Sequence, residues 1–148
     1  MPTAPQHLTI LTGASRGMGL AMAQQLLAPD RLLLCISRHE NATLAQQAKE
    51  AGALLLQWSQ DLGDTVASRV RLLTWLHGVD TGSLVSATLI NNAGVLAPIG
   101  PLSLCPADQL SNALRVGLEA PMQLTAAFLG ATGAWVDLGW RGSRKVLN

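Results

Sequence analysis

The stretch that most limits what this chain can become is a short apolar run that breaks into glycines and leaves as a helix. His7-Leu8-Thr9-Ile10-Leu11-Thr12 is followed by Gly13-Ala14-Ser15-Arg16-Gly17-Met18-Gly19, and Leu20 to Leu27 continues without a further breaker. Strand, glycine turn and helix are expected in that order, with the first strand at 7–12 and the first helix at 18–27. Glycine lets a backbone turn sharply and lie against a ligand. The helix that follows aims unpaired N–H groups at whatever anion occupies the turn.

The same alternation runs on. Arg31 to Ile36 and Ala53 to Trp58 are short, nearly continuous apolar runs, as is Leu84 to Asn91. Strands covered on both faces read this way, whereas half-exposed strands alternate. Helices are expected at 41–51, with Leu44, Ala48 and Ala51 on one side, and at 64–76, with Val66, Val70, Leu73 and Leu76 on the buried side. The expected fold is α/β, a doubly wound parallel sheet in three layers with strand order 3-2-1-4 and helices on both faces. In such sheets ligands bind beyond the C-terminal strand ends. Gly13, Arg38, Asp61 and Asn91 all fall just past such ends.

The second half is less regular. Pro106 is expected to open a long helix with Asp108 in its first turn, and Pro121 to kink it without dividing it. Leu110, Leu114, Leu118, Met122 and Phe128 give that helix an apolar stripe, read chiefly as core packing. Residues 131–142, interrupted by glycines, show no pattern, and Trp135 and Trp140 either cap apolar surface or are exposed. Lys145 to Asn148 reads as the opening of a fifth strand within which the chain stops. The expected unit is therefore one domain over residues 1–148, C-terminally incomplete and truncated within the fifth strand.

Composition removes several classes. A net charge of +1 with no basic cluster argues against nucleic acid. No apolar stretch approaches a membrane span, and the first six residues lack the basic region and apolar core of a signal peptide, so the cytoplasm is expected. Cys35 and Cys105 lack metal-like spacing, and no metal site is expected.

Thr12-Gly13-Ala14-Ser15-Arg16-Gly17-Met18-Gly19 resembles the cofactor loop of the short-chain dehydrogenase/reductase family, Thr-Gly-x-x-x-Gly-x-Gly. Asn91-Asn92-Ala93-Gly94 resembles that family's second marker. The resemblance implies a Rossmann-type domain that binds NAD(P). It implies contacts to phosphate or adenosine from Ser15, Arg16 and Met18, with Gly13, Gly17 and Gly19 forming the turn. Asp61-Leu62 is similar to the family's adenine contact, although a plain helix-leading aspartate is an equal reading of the residues themselves. Asn91, Ala93 and Gly94 would lie on the nicotinamide side. Where NAD folds place an acid about 20 positions past the glycines, this chain has Ser37-Arg38. A hydroxyl and a guanidinium suit a 2′-phosphate, so NADP is expected over NAD.

No catalytic residue is assigned. The family's Ser and Tyr-x-x-x-Lys find no match, since tyrosine is absent. Gly117 stands where the family's helix Asn would be, and Asn112 is not promoted in its place. The resulting expectation is the N-terminal cofactor-binding part of an NADP-dependent oxidoreductase that interconverts carbonyls and alcohols, itself without turnover. A non-enzymatic dinucleotide-binding module and an unstable remnant are the alternatives. The apolar 96–104 segment points to an uncharged carbonyl substrate. By resemblance, the 106–130 helix would serve a homo-oligomer.

Overall fold

A computed structural model describes residues 3–148; Met1 and Pro2, which open the segment read as lacking a signal peptide, lie outside the described residues. The chain alternates β1 (His7–Thr12), α1 (Gly17–Gln25), β2 (Arg31–Ser37), α2 (Ala42–Ala51), β3 (Leu54–Ser59), α3 (Thr65–His77) and β4 (Ser86–Ile90). It continues through α4 (Ala107–Leu114), a π turn (Arg115–Glu119), α5 (Ala120–Asp137) and β5 (Ser143–Leu147).

All neighbouring strands pair in parallel, in the order β3-β2-β1-β4-β5, so β1 lies between β2 and β4 as the alternation requires. Side chains along β1 and β2 point alternately to two layers. Leu8, Ile10, Leu34 and Ile36 pack with Leu72, Leu76, Leu124 and Phe128, the layer supplied by α3 and α5. Leu11, Leu33 and Cys35 pack on the other side with Ala23 and Leu44, the layer of α1 and α2. Burial on both faces explains why these strands lack polar alternation.

Two expectations need correction. The larger is truncation: β5 is not cut short but pairs with β4 from Ser86–Ser143 to Ile90–Leu147, and the Asn91 N–H donates to the Leu147 carbonyl at 2.8 Å. The described residues thus form a parallel sheet of five paired strands with five α-helices. The reading of a truncated, inactive cofactor-binding fragment is corrected with it, since the sheet carries its fifth strand; the unmatched Ser and Tyr-x-x-x-Lys are a separate observation on which the strands do not bear. The unpatterned 131–142 segment divides in two: α5 continues to Asp137, and a turn over 138–142 delivers β5 two residues earlier than expected.

Second, the buried faces of two helices differ from the stripes read in the sequence. In α3 it is Thr65, Ser68, Leu72 and Leu76 that are buried, while Val66 and Val70 are exposed. In the 107–137 run Val116, Ala120, Leu124, Ala127, Phe128 and Ala131 are buried, while Leu110, Leu114, Leu118 and Met122 face outward. The small side chains Ala120, Ala127 and Ala131 let α5 sit close to its neighbours, so size, not hydropathy, selected the inner face.

Pro121 leaves the helical run over 107–137 undivided, as expected. The chain winds one π turn ahead of it, and the Ala120 N–H reaches back five residues to the Arg115 carbonyl. Proline can donate no hydrogen bond to the Gly117 carbonyl four residues earlier, and the wider turn absorbs that mismatch. Among the described residues no helix is long and apolar enough to cross a membrane.

Candidate functional site

Loops after β1, β2, β3 and β4 meet in one cleft of about 510 Å³ at the C-terminal edge of the sheet, within the range of a small-molecule site. Its floor is the glycine turn. Gly13 adopts φ 69°, and a Cβ there would lie 2.9 Å from the Ala93 Cα. A Cβ on Gly19 would meet the Gly13 carbonyl oxygen, with Asn92 Nδ2 at 2.6 Å. The turn is thus drawn up against the β4 loop, and side chains at either position would push the two apart.

Polar stitching holds that approach. The Thr12 hydroxyl accepts from the backbone N–H groups of Asn92 (3.0 Å) and Ala93 (2.9 Å). In return, Asn92 Nδ2 donates to the carbonyls of Thr12 (3.3 Å) and Gly13 (3.2 Å). On the opposite flank, Ser37 Oγ accepts from the Ala14 N–H at 2.9 Å, and Asn41 Nδ2 donates to the Ser15 carbonyl at 3.2 Å.

What it presents is a helix N-terminus. Asn41 and Asp64 cap α2 and α3 with side-chain oxygens, but the N-terminus of α1 has no side-chain cap and no acid in its first turn. Its free N–H groups and positive dipole end favour an anion. Arg16, at the N-cap position of α1, and Arg38, just past β2, both line the cleft. Asp61, past β3, holds the Gly63 N–H on Oδ1 at 2.8 Å, while Leu62 turns into the core and is only 6% exposed. A cradle for phosphate beside two guanidiniums, with a carboxylate further along, fits a dinucleotide.

Of the residues expected at the site, Gly13, Ser15, Arg16, Gly17, Met18, Gly19, Ser37, Arg38, Asp61, Leu62, Ala93 and Gly94 all line this cleft. Asn91 does not. Its Nδ2 donates to Asn148 Oδ1 (2.9 Å) and Thr125 Oγ1 (3.3 Å), in a separate hollow between β4, β5 and α5. Asn92 takes the cleft position, and strand alternation could have separated the two neighbours had the register of β4 been known. Gln60, Asn112 and Val116 also line the cleft without having been anticipated. The last two are four apart along the helical run, which puts them on one face. Ser37 is 8% exposed and its hydroxyl is already engaged by the loop, so it shapes the turn. Burial pushes the Cys35 thiol up to about 12, and it stays protonated and inert at neutral pH.

Comparison with known proteins agrees with this geometry. The family described as short chain dehydrogenase matches residues 7–134. A benzil reductase ((S)-benzoin forming) of Bacillus cereus is 33% identical over 139 residues, covering 94% of this chain and 54% of that protein. A sepiapterin reductase of Mus musculus is 34% identical over 133 residues, covering 82% and 50%. Among solved structures, a short-chain dehydrogenase/reductase from Burkholderia vietnamiensis superposes with a TM-score of 0.80 at 32% identity, over 96% of this chain and 64% of that one. A metagenomic short-chain oxidoreductase in complex with NADP gives 0.78 at 25% identity, over 97% and 62%. The chain spans about half the length of the curated relatives it matches. With residues 7–134 matched, from the first strand into the long helix, this chain belongs to the short-chain dehydrogenase family.

Proposed function

We propose that the cleft binds NADP(H) and that the chain serves hydride exchange between this cofactor and an uncharged carbonyl or its alcohol. The observation that carries the cofactor reading is the pairing of an uncapped α1 N-terminus with Arg16 and Arg38 in one cleft. Backbone N–H groups of the glycine turn would hold the pyrophosphate. Arg38, with Arg16 beside it, would hold the 2′-phosphate through charged hydrogen bonds. Asp61 would accept from the exocyclic amine of adenine, and Ala93 and Gly94 would leave room for the nicotinamide ring. When bound, the cofactor supplies the hydride; these residues bind and orient it. The chain has no tyrosine, so we assign the proton for the carbonyl oxygen to no phenol within these residues.

Titrating NADPH and NADH against wild type and Arg38→Ala tests the reading. Loss of a charged contact of about 1.5–3 kcal/mol weakens NADPH roughly ten- to hundredfold and leaves NADH nearly unchanged. Equal losses for the two nucleotides would mean that Arg38 does not read the 2′-phosphate.

The substrate side is supported by the apolar hollow next to Ala93, whose wall includes Leu118, Met122 and Leu129. Reductases of benzil and of sepiapterin among the relatives favour a carbonyl compound. The outward stripe of Leu110, Leu114, Leu118 and Met122 favours a homodimer through the 106–130 helix, since contiguous exposed apolar surface of this kind marks contact sites. Sedimentation is expected to give a dimer for wild type at micromolar concentration and a monomer for Leu114→Glu/Leu118→Glu. A monomeric wild type would sink the dimer.

A further inference from the structure

We propose that Arg71, which lies outside the cleft, positions its adenine end through Gln60. This inference rests on the cofactor reading above. Arg71 projects from α3 with its guanidinium carbon 4.4 Å from the centroid of the Trp58 ring, and Trp58 in turn meets Trp75 edge-on at 5.7 Å. A guanidinium stacked on an indole keeps its plane and loses little freedom when it donates. Arg71 Nη1 donates to the Ser59 carbonyl and to Gln60 Oε1, each at 3.2 Å. Gln60 lines the cleft, and its Nε2 donates to the Asp61 carbonyl at 3.2 Å.

Both ends of the Gln60 amide are therefore used, and the Asp61 carbonyl has three donors, since Ser68 Oγ and the Asp64 N–H also donate to it, each at 3.2 Å. The carboxylate is oriented separately by the Gly63 N–H on Oδ1. Among the described residues nothing hydrogen-bonds the other oxygen, Oδ2, which is left to receive an exocyclic amine. Arg71 is thus the outer anchor of a chain that runs Trp58, Arg71, Gln60, Asp61. Without it the Gln60 amide is free to rotate, and the Asp61 backbone keeps one holder fewer.

The chain sets base recognition, and base recognition is what the test reads. Affinities for NADPH and for its hypoxanthine analogue, which lacks the exocyclic amine, are measured on wild type, Arg71→Ala, Gln60→Ala and the double variant. Arg71→Met, which keeps the stem over Trp58, guards against a loss of packing. Loss of one neutral hydrogen bond's worth of orientation weakens NADPH about three- to tenfold in each single variant. The hypoxanthine analogue is unaffected, and the double variant is no worse than either single one, because the two residues act in series. Equal weakening of both nucleotides would reveal only a loss of positive field, and additive losses or no loss at all would show independent side chains; each of these overturns the proposal. If wild type binds neither nucleotide, the cofactor reading itself fails and takes this inference with it, an outcome told apart by the unmutated protein alone.

Discussion

Gly19→Ala is expected to disrupt the cofactor cleft, lowering the unfolding midpoint by roughly 10 °C and dinucleotide affinity by about a hundredfold or more. The added methyl has nowhere to go. It would run into the Gly13 carbonyl oxygen, with Asn92 Nδ2 2.6 Å away and the Gly13 carbonyl carbon at 2.8 Å, all parts of the turn and its brace. Overpacking a fitted site costs about 1–3 kcal/mol and sometimes more, and contact with backbone belongs at the upper end because no side chain can swing aside. For a chain of this size about 3 kcal/mol corresponds to a shift of roughly 10 °C. The same displacement pulls the turn off the β4 loop, stretching the bonds from Asn92 and Ala93 to Thr12 and moving the N–H groups meant for the pyrophosphate. Gly94→Ala is the control. It borders the same cleft, yet a Cβ there meets nothing within 4 Å, so its stability is expected to stay within about 0.5 kcal/mol of wild type. Thermal unfolding and NADPH titration of the two variants decide the matter. Comparable destabilisation by both would mean that the turn is loose and that Gly19 is not a packing requirement.

Much of this cleft was legible before any coordinates because its parts are local. A strand, a glycine turn and a helix occupy adjacent positions, and a doubly wound sheet brings every such turn to one edge. Arg38 and Asp61 were found for that reason: each follows an apolar run by two or three residues. Asn91 instead faces the neighbouring hollow, because which of two adjacent asparagines enters the cleft depends on strand register, which pairing of β4 with β1 and β5 sets. The helix faces failed on different grounds. Leucine and valine are plentiful on both sides of α3 and α5, so hydropathy alone cannot say which side is inner. The buried sides carry alanine, serine and threonine, including Thr65, whose Oγ1 donates to Glu119 Oε1 at 2.5 Å, and Thr132, whose Oγ1 donates to the Phe128 carbonyl at 2.8 Å. Close helix approach selects such residues, and its demand is set by the partner helix, which lies about 55 positions away in the sequence. Glycine likewise misled the reading of residues 131–142. Gly130 and Gly133 each cost about 1 kcal/mol in a helix interior, but burial of Phe128, Ala131 and Trp135 repays that and carries α5 on to Asp137.

That misread segment also holds the brace on which β5 depends, and removing it is expected to give the largest loss of stability away from the cleft. Trp140→Ala should cost about 3–5 kcal/mol, the usual range for emptying a buried tryptophan site. The indole is only 7% exposed, stands edge-on to Trp135 at 5.5 Å, and donates from Nε1 to the Leu84 carbonyl at 2.7 Å. Trp135 is anchored in the same manner, its Nε1 donating to the Leu76 carbonyl at 3.2 Å. Together the two rings tie the end of α5 to the end of α3 and to the start of β4. Three residues after Trp140 the Ser143 N–H bonds to the Val85 carbonyl at 3.0 Å and β5 begins. An edge strand of five residues, most of them exposed, has little burial of its own to hold it in register. Its place beside β4 is therefore set by where Trp140 delivers the chain. In a domain worth about 5–15 kcal/mol in total, a loss of this size leaves the fold marginal, and β5 is the first part to open. Urea unfolding measures the total, and native-state hydrogen exchange measures its distribution. The amides of Ser143 to Leu147 are expected to lose protection before those of β1 and β2. Trp140→Phe keeps a ring against Trp135 and gives up the indole N–H, so it should cost about 1–3 kcal/mol, largely the unpaired Leu84 carbonyl. If β5 in Trp140→Ala stays protected until β1 and β2 open, the strand is held by its pairing with β4 and not by the tryptophan brace.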